Sequence, residues 1–103
     1  MRSAGRETLV FKMPGDPALS RLARLVASHF LRQNGIKAVA ARRGALAVEK
    51  GLRKLLKSAS RSGQSGRDVV LVLQPQPAAL EVTGRAAGGP KTRLLRLMRP
   101  RPS

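Results

Sequence analysis

Hydrophobic positions recur along this chain in two rhythms, one near every second residue and one near every third or fourth. Residues Thr8 to Met13 (TLVFKM) are β-prone and stop at Pro14-Gly15, which predicts a strand followed by a turn. Asp16-Pro17 then pairs an N-capping carboxylate with a proline at the first helical position. Leu19, Leu22, Val26 and Phe30 follow at spacings of three and four, with Leu25 beside them and Arg21, Arg24, Ser28 and Arg32 between. That spacing predicts an amphipathic helix, and Asn34-Gly35 is a helix-ending pair.

Ile36 to Ala41 (IKAVAA) reads as a short strand, with Ile36 and Ala38 on one face and Lys37 and Val39 on the other. It runs into Arg42-Arg43-Gly44, a basic turn that opens a second helical pattern at Ala45. Val48, Leu52, Leu55, Leu56 and Ala59 form its apolar side, and Lys50, Arg53, Lys54, Lys57 and Arg61 lie mostly opposite. Gly51 costs that helix about 1 kcal/mol relative to Ala and suits a close backbone approach. Ser58 to Gly66 is a flexible loop by composition.

Val69 to Leu73 (VVLVL) is continuously apolar, as expected of a central strand covered on both faces, and is interrupted by Pro75 and Pro77. Leu80 to Thr83 is extended again, and Gly84 to Pro90 forms a loop with Arg85 near its tip. Lys91 to Met98 fits either a short helix or a strand. Its few residues between two prolines favour the strand. The predicted order is β-α-β-α-β-β: a single α/β two-layer sandwich whose four-stranded mixed sheet carries two helices on one face and ends in a hairpin. Residues 1–6 and the tail around 102–103 are expected to be flexible.

Charge changes this picture most. The chain has 103 residues, with 21 Lys and Arg against five Asp and Glu, a formal net charge of +16. A small domain so charged repels itself, and a polyanion is its natural stabilising partner. A GC-rich genome would account for the excess of Arg over Lys, but not for the shortage of acids. No apolar run approaches the ~18–20 residues that cross a bilayer, and Arg2 and Arg6 precede only a short apolar run rather than a secretory signal. With no cysteine there is no disulfide frame or thiolate site. The expected location is cytoplasmic, with association with the nucleoid, and no membrane insertion.

The order of elements and several short motifs resemble the Alba superfamily of small nucleic-acid-binding proteins, and within it the stage V sporulation protein S family. The residues that carry the likeness are Asp16-Pro17, Arg43-Gly44-Ala45-Leu46, Ser62-Gly63 or Ser65-Gly66 before Asp68-Val69-Val70-Leu71-Val72, and Met98-Arg99-Pro100-Arg101. They span roughly residues 8 to 101. The resemblance implies a homodimer or higher homo-oligomer that binds DNA or RNA without catalysis. It places contacts at Lys12 in the first turn, Arg42 and Arg43 in the second, and Arg85 near the hairpin tip. The chain departs from the sporulation family in its far more basic second helix and its longer, Gly-rich hairpin loop.

Read from the residues alone, Arg42-Arg43-Gly44 is the foremost site, because no Ser, Thr, Asp or Asn caps the helix that follows. Bare amides at a helix start and two guanidinium groups would hold a phosphate. Lys37, Lys50, Arg53, Lys54 and Lys57 form a basic stripe, and Arg85, Lys91, Arg93 and Arg96 a basic hairpin arm suited to a groove. Phe11 and Phe30, the chain's two aromatics, fall at core positions, so no stacking platform for single-stranded bases exists. Recognition through the phosphate backbone, with little sequence preference, is the expected mode. The alternative is a regulatory or assembly protein whose basic face meets an acidic protein or an anionic membrane. His29 stands alone, and Glu7, Asp16, Glu49, Asp68 and Glu81 are scattered, so no enzyme, metal, cofactor or small-molecule substrate is expected.

Overall fold

A computed structural model describes residues 7–61, 68–86 and 89–99. Strand β1 (Leu9–Met13) leads through a short 3-10 turn (Pro17–Leu19) into helix α1 (Ser20–Gln33). The start follows the sequence signal: Asp16 Oδ1 accepts the Ala18 N–H at 2.9 Å, and proline opens the turn. The end does too. Gly35 takes φ 86°, the Ile36 N–H reaches back to Leu31 O at 3.0 Å, and the Gly35 N–H reaches Arg32 O at 3.1 Å. This pair of bonds is the Schellman closure, with Ile36 tucked into the core.

The closure determines what comes next. Only the four residues Asn34 to Lys37 separate α1 from α2 (Ala38–Arg61), so the strand expected at Ile36 to Ala41 is instead the end of that linker and a helical first turn. Alanines, the best helix formers, occupy positions 38, 40 and 41, and Ala41 continues backwards the apolar series Ala45, Val48, Leu52, Leu56 and Ala59. α2 also runs through Ser58 to Arg61, where a loop was expected. The rest of that predicted loop, and the expected flexible ends at 1–6 and 102–103, lie outside the described residues.

The chain returns as β2 (Val69–Pro75), β3 (Ala79–Ala86) and β4 (Thr92–Met98), giving the order β-α-α-β-β-β rather than β-α-β-α-β-β. The sheet order is β1-β2-β3-β4, with every pair antiparallel, so the expected mixed sheet is a pure antiparallel one. Losing the second strand removes the helical crossover that a parallel pair needs. Arg85 sits within β3 rather than at a loop tip. Lys91 to Met98 is the strand, and β3 and β4 form the expected hairpin.

Both helices pack on one face of the sheet, against Met13, Val69, Leu71, Leu73, Leu80, Val82 and Ala86. The other face carries Val10, Lys12, Val70, Val72, Thr83 and Arg85, and among the described residues no helix covers it. β2 is therefore central but covered on one face only, contrary to the reading of its apolar run. In β4 the register shifts between Val82 and Thr83: Val82 faces Leu95 but Thr83 faces Arg93. This bulge turns both Leu94 and Leu95 towards α2, which explains why Leu94-Leu95 obscured the alternation. α1 is rotated from its predicted face. Ala23, Ala27, Phe30 and Leu31 are buried, while Leu22 and Leu25 are exposed, because small alanines allow the two helices to approach closely.

Candidate nucleic-acid interface

Residues 42 and 43 lie one turn inside α2, where the backbone amides are already committed; Ala41 N–H, for example, donates to Lys37 O at 2.8 Å. The anticipated cradle of bare amides at Arg42-Arg43-Gly44 is therefore absent. Successive helical residues also diverge by about 100°. Arg42 lines a groove between the helices, whereas Arg43 lines one between α2 and β4. Gly44 is part of the packing instead: a Cβ there would sit 2.8 Å from Leu31 Cδ1. Gly51 plays the role expected of it, since a Cβ would lie 3.0 Å from Leu94 Cδ2.

The helical periodicity that separates these two arginines aligns other cations. Arg43, Lys50, Lys54, Lys57 and Arg61 follow one another at spacings of seven, four, three and four, and all are exposed. They form a single ridge on the side of α2 away from the core, and it runs for about 27 Å of helix axis. Nothing acidic interrupts it. Lys37 precedes the ridge in the interhelical linker.

Beside the ridge lies the interhelical groove, a cleft of about 550 Å³ lined by Arg24, Ser28 and Arg32 from α1 and by Arg42 and Leu46 from α2. The i, i+4 spacing puts Arg24, Ser28 and Arg32 on one edge of α1. The tight turn makes the helices antiparallel, which brings Arg42 to this edge. Arg24 and Arg32 were not among the predicted site residues. They were read as the solvated side of an amphipathic helix, and only the helix pairing shows that they flank Arg42.

Glu49 is the one acid of the two helices, and it is buried. Its carboxylate accepts from Arg53 Nη2 at 2.8 Å and lies 3.6 Å from Arg24 Nε, while Arg53 Nε donates to Ser20 Oγ at 3.1 Å. Arg53 is thus a structural clamp between α1 and α2 rather than a free member of the stripe. Among the described residues neither Arg32 nor Arg42 has an ion-pair partner.

The remaining predicted site residues lie on the opposite side of the molecule. Lys12 is in β1, not in the turn after it, and it shares a row of the open sheet face with Val70 and Arg85. Lys91 and Arg85 line one small hollow there, and Arg93 stands opposite Thr83. Acids offset part of this charge: Lys12 Nζ is 3.5 Å from Asp68 Oδ2, and Glu81 faces Arg96. The predicted cations therefore divide between two faces, and the helical one is much the more positive.

His29 lies on the exposed side of α1, 3.4 Å from Gln33 Nε2. Among the described residues no three His, Cys, Asp or Glu side chains group together as metal ligands, and no helix is long and apolar enough to cross a membrane. No protein-family model matches the chain, and no curated protein matches it either.

Proposed function

We propose that this protein binds DNA or RNA through the phosphate backbone, without catalysis, on the outer surface of its two helices. The observation that carries the reading is the uninterrupted line of Arg43, Lys50, Lys54, Lys57 and Arg61 along one side of α2. Arg32 and Arg42 extend it into the neighbouring groove. Across α1 and α2 there are ten cations and one acid, and that acid is buried between Arg24 and Arg53. A solvated helix face ordinarily interleaves both signs, which lowers its self-repulsion; this one does not. A polyanion removes the repulsion.

The chemistry of the surface also indicates the mode of binding. Phe11 and Phe30 are on the core side of their elements, and the chain has no Tyr or Trp, so bases have no aromatic plane to stack on. Lysines on an exposed ridge act as point charges towards phosphates and read no sequence. The proposal rests on charge placement. The Alba-like order of elements does not support it, because the second strand of that order is helical here.

The test is a salt titration of binding to a labelled mixed-sequence duplex, followed by anisotropy. Seven cations engaging phosphates give a slope of log K against log[salt] near −6, by the relation of about −0.9 per phosphate. The variant Lys12→Ala/Arg85→Ala/Lys91→Ala, on the sheet face, keeps that slope. Salt-insensitive binding rejects the phosphate mode. A slope that falls in the sheet variant moves the interface to the other face.

A further inference from the structure

We propose that the outer edge of β4, together with the groove beneath α2, captures an extended segment of a partner protein in which apolar and acidic residues alternate. This surface is separate from Arg32, Arg42 and the α2 lysines, and shares only Arg43 with the cationic ridge. β4 ends the sheet, and among the described residues nothing pairs with its outer edge. Alternate residues of an antiparallel edge strand turn N–H and C=O groups outward, where they can template one more strand.

What makes this edge selective lies on either side of it. On the helix side the edge opens into a groove of about 530 Å³, lined by Val39, Ala40 and Ala47 of α2 and by Leu95 and Leu97 of β4. Val39 is 66% exposed, an aliphatic side chain left without cover. Lys37 and Arg43 stand at the groove's rim. On the other side of β4, Arg93 and Arg96 face Thr83 and Glu81 on the open sheet face.

An added strand points successive side chains to opposite faces. Residues opposite Leu95 and Leu97 enter the groove and are favoured if aliphatic. The residue between those two, opposite Arg96, is favoured if acidic, because opposite charges directly across a ladder attract and like charges repel. The same rule disfavours a second copy of this chain as the occupant. β4 and the residue after it carry three arginines and no acid, so pairing β4 with β4 would bring the guanidinium groups of both copies together. Main-chain hydrogen bonds supply affinity in this mode, and the alternating side chains supply selectivity.

The probe is an N-acetylated nine-residue peptide of alternating Glu and Val, titrated into the isotopically labelled protein. It should bind at least tenfold more tightly than nona-glutamate or a Lys-Val peptide of equal length, and shift the amides of 92–98 together with Val39 and Ala47. Methylating alternate peptide nitrogens, in the register that faces β4, should cost at least tenfold. Val39→Glu, at an exposed position, should weaken binding at least fivefold and leave the thermal transition in place. Equal affinity for nona-glutamate, or shifts confined to Lys50, Lys54 and Lys57, would overturn the proposal in favour of a general attraction to polyanions. A dimer of the protein alone, in which the outward-facing amides of 92–98 are protected from hydrogen exchange only in the dimeric form, would overturn it in favour of a second copy. None of these readouts uses nucleic acid, so the phosphate-backbone reading stands or falls separately on its salt slope.

Discussion

Replacing Lys50, Lys54 and Lys57 together with alanine separates binding from folding, because the structure assigns these lysines opposite effects on the two. All three are exposed, and none is within 4 Å of an acid among the described residues. If seven helical cations each neutralise one phosphate, the wild-type protein loses about 6,000-fold in duplex affinity between roughly 50 and 200 mM salt. With three removed the slope falls from about −6.3 to about −3.6, and the same change in salt costs only about 150-fold.

Stability moves the other way. Lys50 and Lys54, Lys54 and Lys57, and Lys57 and Arg61 are like-charged neighbours at helical spacings of three or four. Relieving each repulsion is worth about 0.2–0.5 kcal/mol, and alanine adds helix propensity. The triple variant should therefore melt several degrees higher, at about 4–8 °C per kcal/mol for a domain of this size. Anisotropy titrations at four salt concentrations and a thermal melt by circular dichroism measure both. An unchanged slope would refute the assignment of the ridge to the interface, and a lower melting temperature would refute the claim that these lysines only repel one another.

Three further outcomes follow from the helical layer. Arg32→Ala/Arg42→Ala should reduce the salt slope by about 1.8 with no loss of thermal stability, since neither guanidinium has an ion-pair partner among the described residues; an unaltered slope would leave the groove empty of phosphate. Glu49→Gln strips the carboxylate from between Arg24 and Arg53 and should cost about 1–2 kcal/mol in urea unfolding, less than a fully buried pair because Arg53 is half exposed. Gly44→Ala gains about 1 kcal/mol of helix propensity but forces a methyl against buried Leu31, and overpacking of about 1–3 kcal/mol leaves it less stable in the same assay.

The parts of this fold legible in the sequence are those set by local chemistry. Asp16-Pro17 and Asn34-Gly35 mark the ends of the first helical segment because capping depends on a few neighbouring atoms. The strand at Ile36 to Ala41 was misread because two-residue alternation and alanine-rich helix look alike over six residues, and the choice was made by Ala41 joining the buried series of α2. That one error displaced the site as well. Once Arg42 and Arg43 enter a helix, about 100° separates them, and the cluster apparent in the sequence splits between two grooves. The ridge of Lys50, Lys54 and Lys57 was visible as a stripe, because helical periodicity alone creates it. The pairing of Arg53 with Glu49 and Ser20, and the meeting of Arg32 with Arg42, depend on how two helices cross, which no local pattern encodes.

The distribution of acids supports the proposed reading of the helical face over one of mere excess charge. If arginine-rich composition alone had made the chain basic, acids would fall without regard to face. Instead Asp68 sits against Lys12 and Glu81 faces Arg96 on the sheet side, whereas the single acid of the helices is sequestered where it joins α1 to α2. In that position Glu49 can hold the two helices together without neutralising the surface they present. The same carboxylate on the solvent side, at an i, i+4 position to Lys50 or Lys57, would contribute only about 0.2–0.5 kcal/mol and would break the line of cations. Burying it between Arg24 and Arg53 keeps the cost of packing so much positive charge on two touching helices bearable and leaves the outer face wholly positive. That arrangement is the one the proposed phosphate-binding function calls for, since an anionic ligand would relieve the repulsion that remains on that face.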